Sequence, residues 1–284
     1  MDKKYEIKPF LKWVGGKRQL IPEIEKHIPE NIDTYYEPFI GAGAILLHLQ
    51  PQKAVISDMN KELINCYNVI KNKKDELIKE LSKHKNEKDY FYEIRKWDQA
   101  DNYSQRSDVE RAARIIYLNK TCFNGLYRVN KKGYFNTPFG KYSNPTIVDK
   151  DNLNNLSLFF NACNLNIYNQ DFEKTIKDAK EGDFVYFDPP YDYENEDGFV
   201  SYNANGFSRK DLLRLKLFSD KLIKMGCNIL ISNNDTSFVR ETFSGDNYEI
   251  IYQFNEVEAN RNINSSAKQR SSKVKELLIY GTKK

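Results

Sequence analysis

The sequence predicts a doubly wound α/β fold whose sheet is mostly parallel with an antiparallel edge. Three observations carry that prediction. Short apolar runs alternate with helical patterns over most of the chain, as parallel strands joined by helical crossovers do. Near residues 35–58 a strand enters a glycine turn, a helix follows, and the next strand ends on an acid. The last two apolar runs, 248–257 and 274–281, have no helix between them and read as an antiparallel pair.

The elements run in order. Phe10-Leu11-Lys12-Trp13-Val14-Gly15-Gly16-Lys17 is a tight glycine turn feeding a helix that ends near Ile28-Pro29. It could hold an anion on backbone amides, but it lacks the spacing of a Walker loop. Trp13 reads as core or as a flat lid on a ligand. Tyr35 to Ala44 is a strand entering a small-residue turn, with helix to Leu49 and a second strand over 53–58. Its glycines let backbone approach a ligand, and Asp58, seventeen residues after Gly41, is placed for ribose hydroxyls.

A helical pattern covers 61–86, with Leu63, Ile64, Tyr67, Ile70, Leu77 and Leu81 at three- and four-residue spacings. Residues 87–107 are polar and read as irregular, and a helix over 109–119 comes next. Helices are predicted over 151–162 and 173–179, and strands over 164–168 and 183–187. Ser208 is a good N-cap for a helix to Met225 closed by Gly226. A buried strand over 228–232 and a helix over 236–243 complete the alternation. Residues 192–207, with Phe199 and Tyr202, form a long loop that reads as a mobile lid.

The chain of 284 residues carries 30% charged and 40% hydrophobic residues, which suits a soluble globular protein with one sizeable core and room for a second small domain. It shows neither a membrane-length apolar run nor an apolar signal region after Met1. The expectation is a cytoplasmic protein. Cys66, Cys122, Cys163 and Cys227 are far apart and read as reduced thiols rather than disulfides or zinc ligands. The net charge of +4 permits a nucleic-acid partner without demanding one. Basic residues cluster at Lys12/Lys17/Arg18, over 128–141 and over 261–275.

The chemically pointed stretch is Asp188-Pro189-Pro190-Tyr191, directly after the apolar run 183–187. Two prolines stop the strand and expose the residues at its end. Standing alone, the tetrad reads as a Pro-Pro turn with Asp capping a helix. After a buried strand it solves a particular problem, the methylation of an exocyclic amine. The N6 lone pair of adenine is delocalised, so the nitrogen is a poor nucleophile. Asp188 and the Pro189 carbonyl could accept its two hydrogens and aim a more localised lone pair at a sulfonium methyl. Tyr191 could stack on the heterocycle. Positioning and fixed electrostatics would supply most of the rate.

A second informative stretch spans 121–142, where aromatics alternate around Lys131-Lys132-Gly133 and read as a β-hairpin. Its aromatics, asparagines and arginine suit stacking, wedging and edge reading in a DNA groove. They equally suit a small hairpin packed on its own rings.

With these pieces in order, the chain resembles the Dam-type (D12 class, alpha-group) DNA adenine N6-methyltransferases over nearly its full length. Phe10 to Lys17 resembles the family's N-terminal motif, Glu37 to Ala44 its methyl-donor motif, and Asp188 to Tyr191 its catalytic motif. Asn124 to Asn130 and Phe135 to Gly140 resemble its recognition hairpin, and Ile231 to Asp235 a family strand end. The resemblance implies the class I S-adenosylmethionine-dependent methyltransferase fold with seven strands. It implies a catalytic domain of residues 1–61 and 164–284 and a target-recognition domain of residues 62–163.

It further implies that Asp188, Pro189, Pro190 and Tyr191 hold a target adenine flipped from the duplex, because a stacked and paired N6 cannot reach the donor. Trp13, Lys17, Phe39, Gly41, Gly43, Asp58, Asp171, Phe172 and Asp188 would contact S-adenosylmethionine, with S-adenosylhomocysteine as product. Lys12, Phe123, Asn124, Leu126, Arg128, Asn136 and Pro138 would meet DNA. Phe123 stands where several relatives carry a wedging tyrosine. The Arg128 fork fits guanine O6 and N7. The expected target is GATC, the expected partner double-stranded DNA, and no metal is implied. The protein is expected to act as a monomer without a membrane, with a cognate restriction endonuclease as a genetic partner. Competing readings are N-methylation of RNA or of protein glutamine, whose enzymes commonly carry Asn at the tetrad's first position, and a DNA-binding regulator without catalysis. No room remains for a nuclease in the same chain.

Overall fold

The apolar runs become strands. The computed structural model describes residues 4–194, 207–244, 249–260 and 273–284. Its strands are β1 (Tyr35–Glu37), β2 (Lys53–Ser57), β3 (Asn164–Tyr168), β4 (Phe184–Phe187), β5 (Asn228–Asn234), β6 (Ile250–Asn260) and β7 (Lys273–Lys283). They form one sheet in the order β3-β2-β1-β4-β5-β7-β6. β1 pairs in parallel with β2 and β4, and β4 in parallel with β5. β7 runs antiparallel to both β5 and β6. Every residue of β1 and β4 is buried, as strands covered on both faces require. The expected mostly parallel sheet with an antiparallel edge is the one that forms.

The chain divides into two compact units. The strand-rich unit comprises Lys17–Ile40, Pro51–Met59 and Gln170–Lys284. Its core sets Val185, Phe187, Ile229, Ile231 and Ile279 of the strands with Leu215, Leu222 and Ile223 of a long helix, Arg209–Lys224. That helix starts where the sequence places its cap. Ser208 accepts from the Asp211 amide, and the Asp211 carboxylate accepts from the Ser208 amide.

The helix-rich unit comprises Met1–Gly16, Gly41–Gln50 and Asn60–Asn169. Its centre is the helix Asp108–Thr121, opened by a Ser107/Glu110 capping box and buried along most of its length. Three expectations are corrected in this unit. The helix expected over 61–86 is two helices, Lys61–Asn72 and Lys74–Leu81, broken at Lys73 (φ −138°), whose ammonium pairs with Asp108. The segment 87–107, expected to be irregular, contains the helix Lys88–Arg95 and two 3-10 turns. Only Phe91 and Ile94 of that helix are buried, too few apolar positions to mark it in the sequence. Its last carbonyls are taken by a buried arginine from elsewhere in the chain, since Arg114 donates to the oxygens of Ile94 and Arg95.

The third correction concerns 121–142. The turn forms, with the Asn130 side chain accepting from the amides of Lys132 and Tyr134. Its flanks, however, carry only isolated bridges, Val129 to Phe135 and Cys122 to Phe139. A 3-10 turn, Phe123–Gly125, with Asn124 at φ 57°, interrupts any continuous ladder. The loop expected to be a lid lies almost wholly outside the described residues, Phe199 and Tyr202 included, as do residues 261–272 of the basic stretch. Among the described residues no helix is long and apolar enough to cross a membrane. All four cysteines are free and buried.

Candidate active site

In the strand-rich unit, β4 delivers the tetrad and its neighbours fix it. Lys17, only 5% exposed, brings its ammonium 2.9 Å from Asp188 Oδ1. The same ammonium stands over the Tyr191 ring, 4.7 Å from its centroid. The Tyr191 hydroxyl donates to Glu276 Oε2 of β7 at 2.8 Å. Behind them Tyr186 shares a 2.7 Å hydrogen bond with Ser232, and Tyr35 donates to Glu37 at 2.8 Å. Burial pushes the Asp188 carboxyl up to about 6, against the lowering effect of Lys17. Burial also raises the Tyr191 and Tyr186 phenols well above their ordinary range. Pro189 is buried and Pro190 half-buried.

The residue after the turn is latched. Arg209 Nε donates to Asp192 Oδ1 at 2.8 Å, and Thr236 donates to Oδ2 at 2.7 Å. The Asp192 amide donates to Asn233 Oδ1 at 2.9 Å. Asp192 is 2% exposed, so this carboxylate is a buried, fully engaged anchor.

The expected cofactor residues of this unit fall in two groups beside the tetrad's strand. Phe39 stacks on Phe172 with centroids 5.7 Å apart, and both rings also pack on Phe187. Asp171 caps the short helix Phe172–Ile176 by accepting from the Glu173 amide. Arg214 lays its guanidinium 5.1 Å from the Phe172 centroid and reaches Asp171 at 3.2 Å. Asp58, half-buried, comes directly after β2. The strand end before it is tied by Ser57, which donates to the Pro38 carbonyl at 3.1 Å and accepts from Thr175 at 2.7 Å.

In the helix-rich unit, Trp13 meets the glycine turn. A Cβ on Gly41 (φ 47°) would stand 3.1 Å from the indole, so the turn admits the ring only without a side chain. Tyr67 donates to the Gly41 carbonyl at 3.0 Å. Gly43, at φ 68°, caps the helix Ala44–Leu49 in the left-handed region. Trp13 also stacks on Tyr127, centroids 4.7 Å apart.

The expected DNA contacts gather in this unit too. Asn119, 1% exposed, accepts from the Lys12 amide and donates to the carbonyls of Lys12 and Gly125, joining the two loops. Lys12 then crosses Gly125 so closely that a Cβ there would lie 2.5 Å from its Cδ. Phe123 is 40% exposed. Arg128 and Pro138 are exposed or nearly so at the rim of this loop; Asn124 and Asn136 are half-buried. Asn136 orients Arg128, its Oδ1 accepting from Nε at 2.7 Å. The Leu126 carbonyl accepts from the Thr137 hydroxyl. Phe135 is buried on Tyr127, and its amide donates to Asp98 at 2.7 Å. Among the described residues no three His, Cys, Asp or Glu side chains gather as a metal site.

A sheet of this order, with a glycine turn after β1 and a proline tetrad after β4, defines a class I S-adenosylmethionine-dependent methyltransferase fold. The family described as D12 class N6 adenine-specific DNA methyltransferase matches residues 13–263, and the chain belongs to it. Similar proteins include the type II methyltransferase M1.LlaDCHI of Lactococcus lactis, 42% identical over 98% of this chain and 97% of its own. The type II methyltransferase M.MjaIII of Methanocaldococcus jannaschii is 41% identical over 96% and 99%. A DNA adenine methylase of Vibrio cholerae is 35% identical over 96% and 95%. The protein is a site-specific DNA adenine N6-methyltransferase.

Sequence reasoning missed Glu276, Asp192, Arg214 and Asn119. Asp192 could have been found from its place directly after the tetrad. Glu276 and Arg214 are remote in sequence from the tetrad and from Asp171, Asn119 reaches back to Lys12, and no local pattern marks them.

Proposed function

We propose that this enzyme methylates the adenine of GATC after flipping it from duplex DNA. The observation that carries the reading is the tetrad's setting: a carboxylate and an aromatic ring held at the end of a buried strand, with Asp192 locking the turn behind them. Such a turn orients its acceptors before the base arrives. Asp188 and the Pro189 carbonyl accept the two hydrogens of the amine, and Tyr191 stacks on the base.

The residues present suit an adenosyl sulfonium donor. The Phe39–Phe172 pair offers a flat apolar wall for an adenine. Asp58 comes directly after β2, where an acid can take ribose hydroxyls. In the strand-rich unit, Phe39, Asp58, Asp171, Phe172, Lys17 and Asp188 are assigned to the donor. When bound, S-adenosylmethionine supplies the electrophilic methyl group.

GATC is supported by the hairpin's resemblance and by its inventory: Arg128 as a fork for guanine, Phe123 as an exposed wedge, and Lys12, Asn124, Leu126, Asn136 and Pro138 around them. The catalytic role falls to residues 1–61 and 164–284, and target recognition to 62–163. A cytoplasmic monomer on DNA, with a cognate endonuclease encoded separately, completes the proposal. Mapping modified adenines in DNA from a methylation-deficient host expressing the protein tests it. Methylation confined to GATC is expected. Methylation in another sequence context would overturn the target.

A further inference from the structure

The pairing of Lys17 with Asp188 asks for a reason. Burying an ammonium and a carboxylate is costly, and an apolar pair of similar volume would often be at least as stable. A structural role alone therefore accounts poorly for a lysine that is 5% exposed. Its surroundings suggest another role. The Asp188 charge raises the phenols of Tyr186 on β4 and Tyr35 on β1, and Tyr35 donates to Glu37 of β1. From β7 comes Glu276, and from its own turn Tyr191. Lys17 is the cation set against this acidic and phenolic ring, 2.9 Å from the carboxylate.

We infer that Lys17 is a positioning residue for the methyl-accepting step, holding Asp188 as an oriented anion, while Glu276 anchors the Tyr191 ring through its hydroxyl. The inference rests on the proposed role of Asp188. It adds a different task for Lys17 from the donor contact that the family resemblance implies. An ionised Asp188 accepts hydrogen bonds only, which the target amine needs. A protonated one presents a donor to an amine that is itself a donor. The Lys17 ammonium acts on both halves of the clamp, bonding the carboxylate and standing over the ring that would stack on the base.

Burial and Glu276 raise the Asp188 carboxyl, while Lys17 and, to a smaller extent, the Tyr191 hydroxyl lower it. Lys17 and Glu276 therefore have opposite effects on one titration. Lys17→Met removes the lowering group, so the acid limb of kcat/KM for DNA should move up by roughly 1–3 pH units. Activity at about pH 7 should fall by roughly twofold for the smallest of these shifts and roughly a hundredfold for the largest, and recover in part as the pH rises. Glu276→Gln removes a raising group and keeps a hydrogen-bond acceptor for Tyr191, so its acid limb should move down. S-adenosylmethionine affinity, measured by calorimetry without DNA, should fall far less than kcat/KM in Lys17→Met and change only a few-fold in Glu276→Gln.

An unmoved acid limb in Lys17→Met, or a loss of donor affinity equal to the loss of rate, would overturn the inference and return Lys17 to the donor. Should Lys17→Met fail to fold, an acid limb in Glu276→Gln that stays put or rises would overturn it independently. Failure of the underlying reading looks different: Asp188→Asn would then retain the wild-type rate and profile.

Discussion

The tetrad at the end of β4 and the loop from Phe123 to Pro138 both present side chains to DNA in our proposal, yet they are built in opposite ways. Around the tetrad the polar groups are paired within the fold: buried Lys17 on Asp188, half-buried Glu276 on Tyr191, and half-buried Arg209 with buried Thr236 on Asp192. The recognition loop has isolated bridges instead of a ladder, an exposed Phe123 and an Arg128 oriented by one asparagine. The difference matches the two tasks. Aiming a lone pair needs fixed dipoles that do not reorganise. Reading a base edge needs donors that water can reach until the duplex replaces it.

Removing Asp188 should break the comparison most sharply. Asp188→Ala deletes one of the two acceptors for the amine, and a loss in kcat on the order of 10²–10³-fold is expected, by analogy with the loss of one preorganised group elsewhere. Donor binding in the absence of DNA should weaken far less than turnover. A methyl-transfer assay showing near wild-type turnover would remove Asp188 from the chemistry.

Arg128→Ala should act on the other side. It should weaken discrimination at one guanine by about 1–3 kcal/mol, the worth of one bidentate contact, with little change in donor affinity. Turnover on cognate and singly substituted duplexes measures this directly. Unchanged sequence preference would take Arg128 out of base readout.

Legibility in the sequence divides along the same line. The parallel core, the glycine turn at Gly41 and the tetrad could be read because each is local: an apolar run, a positive φ, two prolines. The Ser208 cap was legible for the same reason. The helix Lys88–Arg95 was not, because its end is stabilised by Arg114, a residue nineteen positions past Arg95 that its own sequence does not announce. The 121–142 segment shows alternating aromatics, the signature of a ladder, but its glycine at 125 leaves the space through which Lys12 passes. Glu276 and Asn119 act across distances in sequence that no periodicity reports. Local chemistry was visible, and the partners that hold it in place were not.

Two titratable groups, one in each unit, sharpen the comparison further: half-buried Asp188 and buried His84. Asp188 has a cation beside it, whereas His84 rests on neutral rings. His84 stacks on Tyr117 at 4.5 Å and shares a 2.9 Å hydrogen bond between Nδ1 and the Tyr90 hydroxyl. Its Nε2 is buried without a partner among the described residues. Burial, outweighing the attraction of Glu80, lowers its pKa from 6.5 to about 4. The unfolded chain therefore takes up a proton that the folded one refuses, so stability is full above pH 6.5 and declines as pH falls toward 4. At a pH of about 5 this residue alone should cost about 2 kcal/mol. His84→Phe keeps a flat ring on Tyr117 and cannot titrate, so urea midpoints at about pH 7 and about pH 5 should converge relative to the wild type. An equal acid loss in both proteins would place the acid sensitivity elsewhere, among the carboxylates that pairing with lysine and arginine keeps charged.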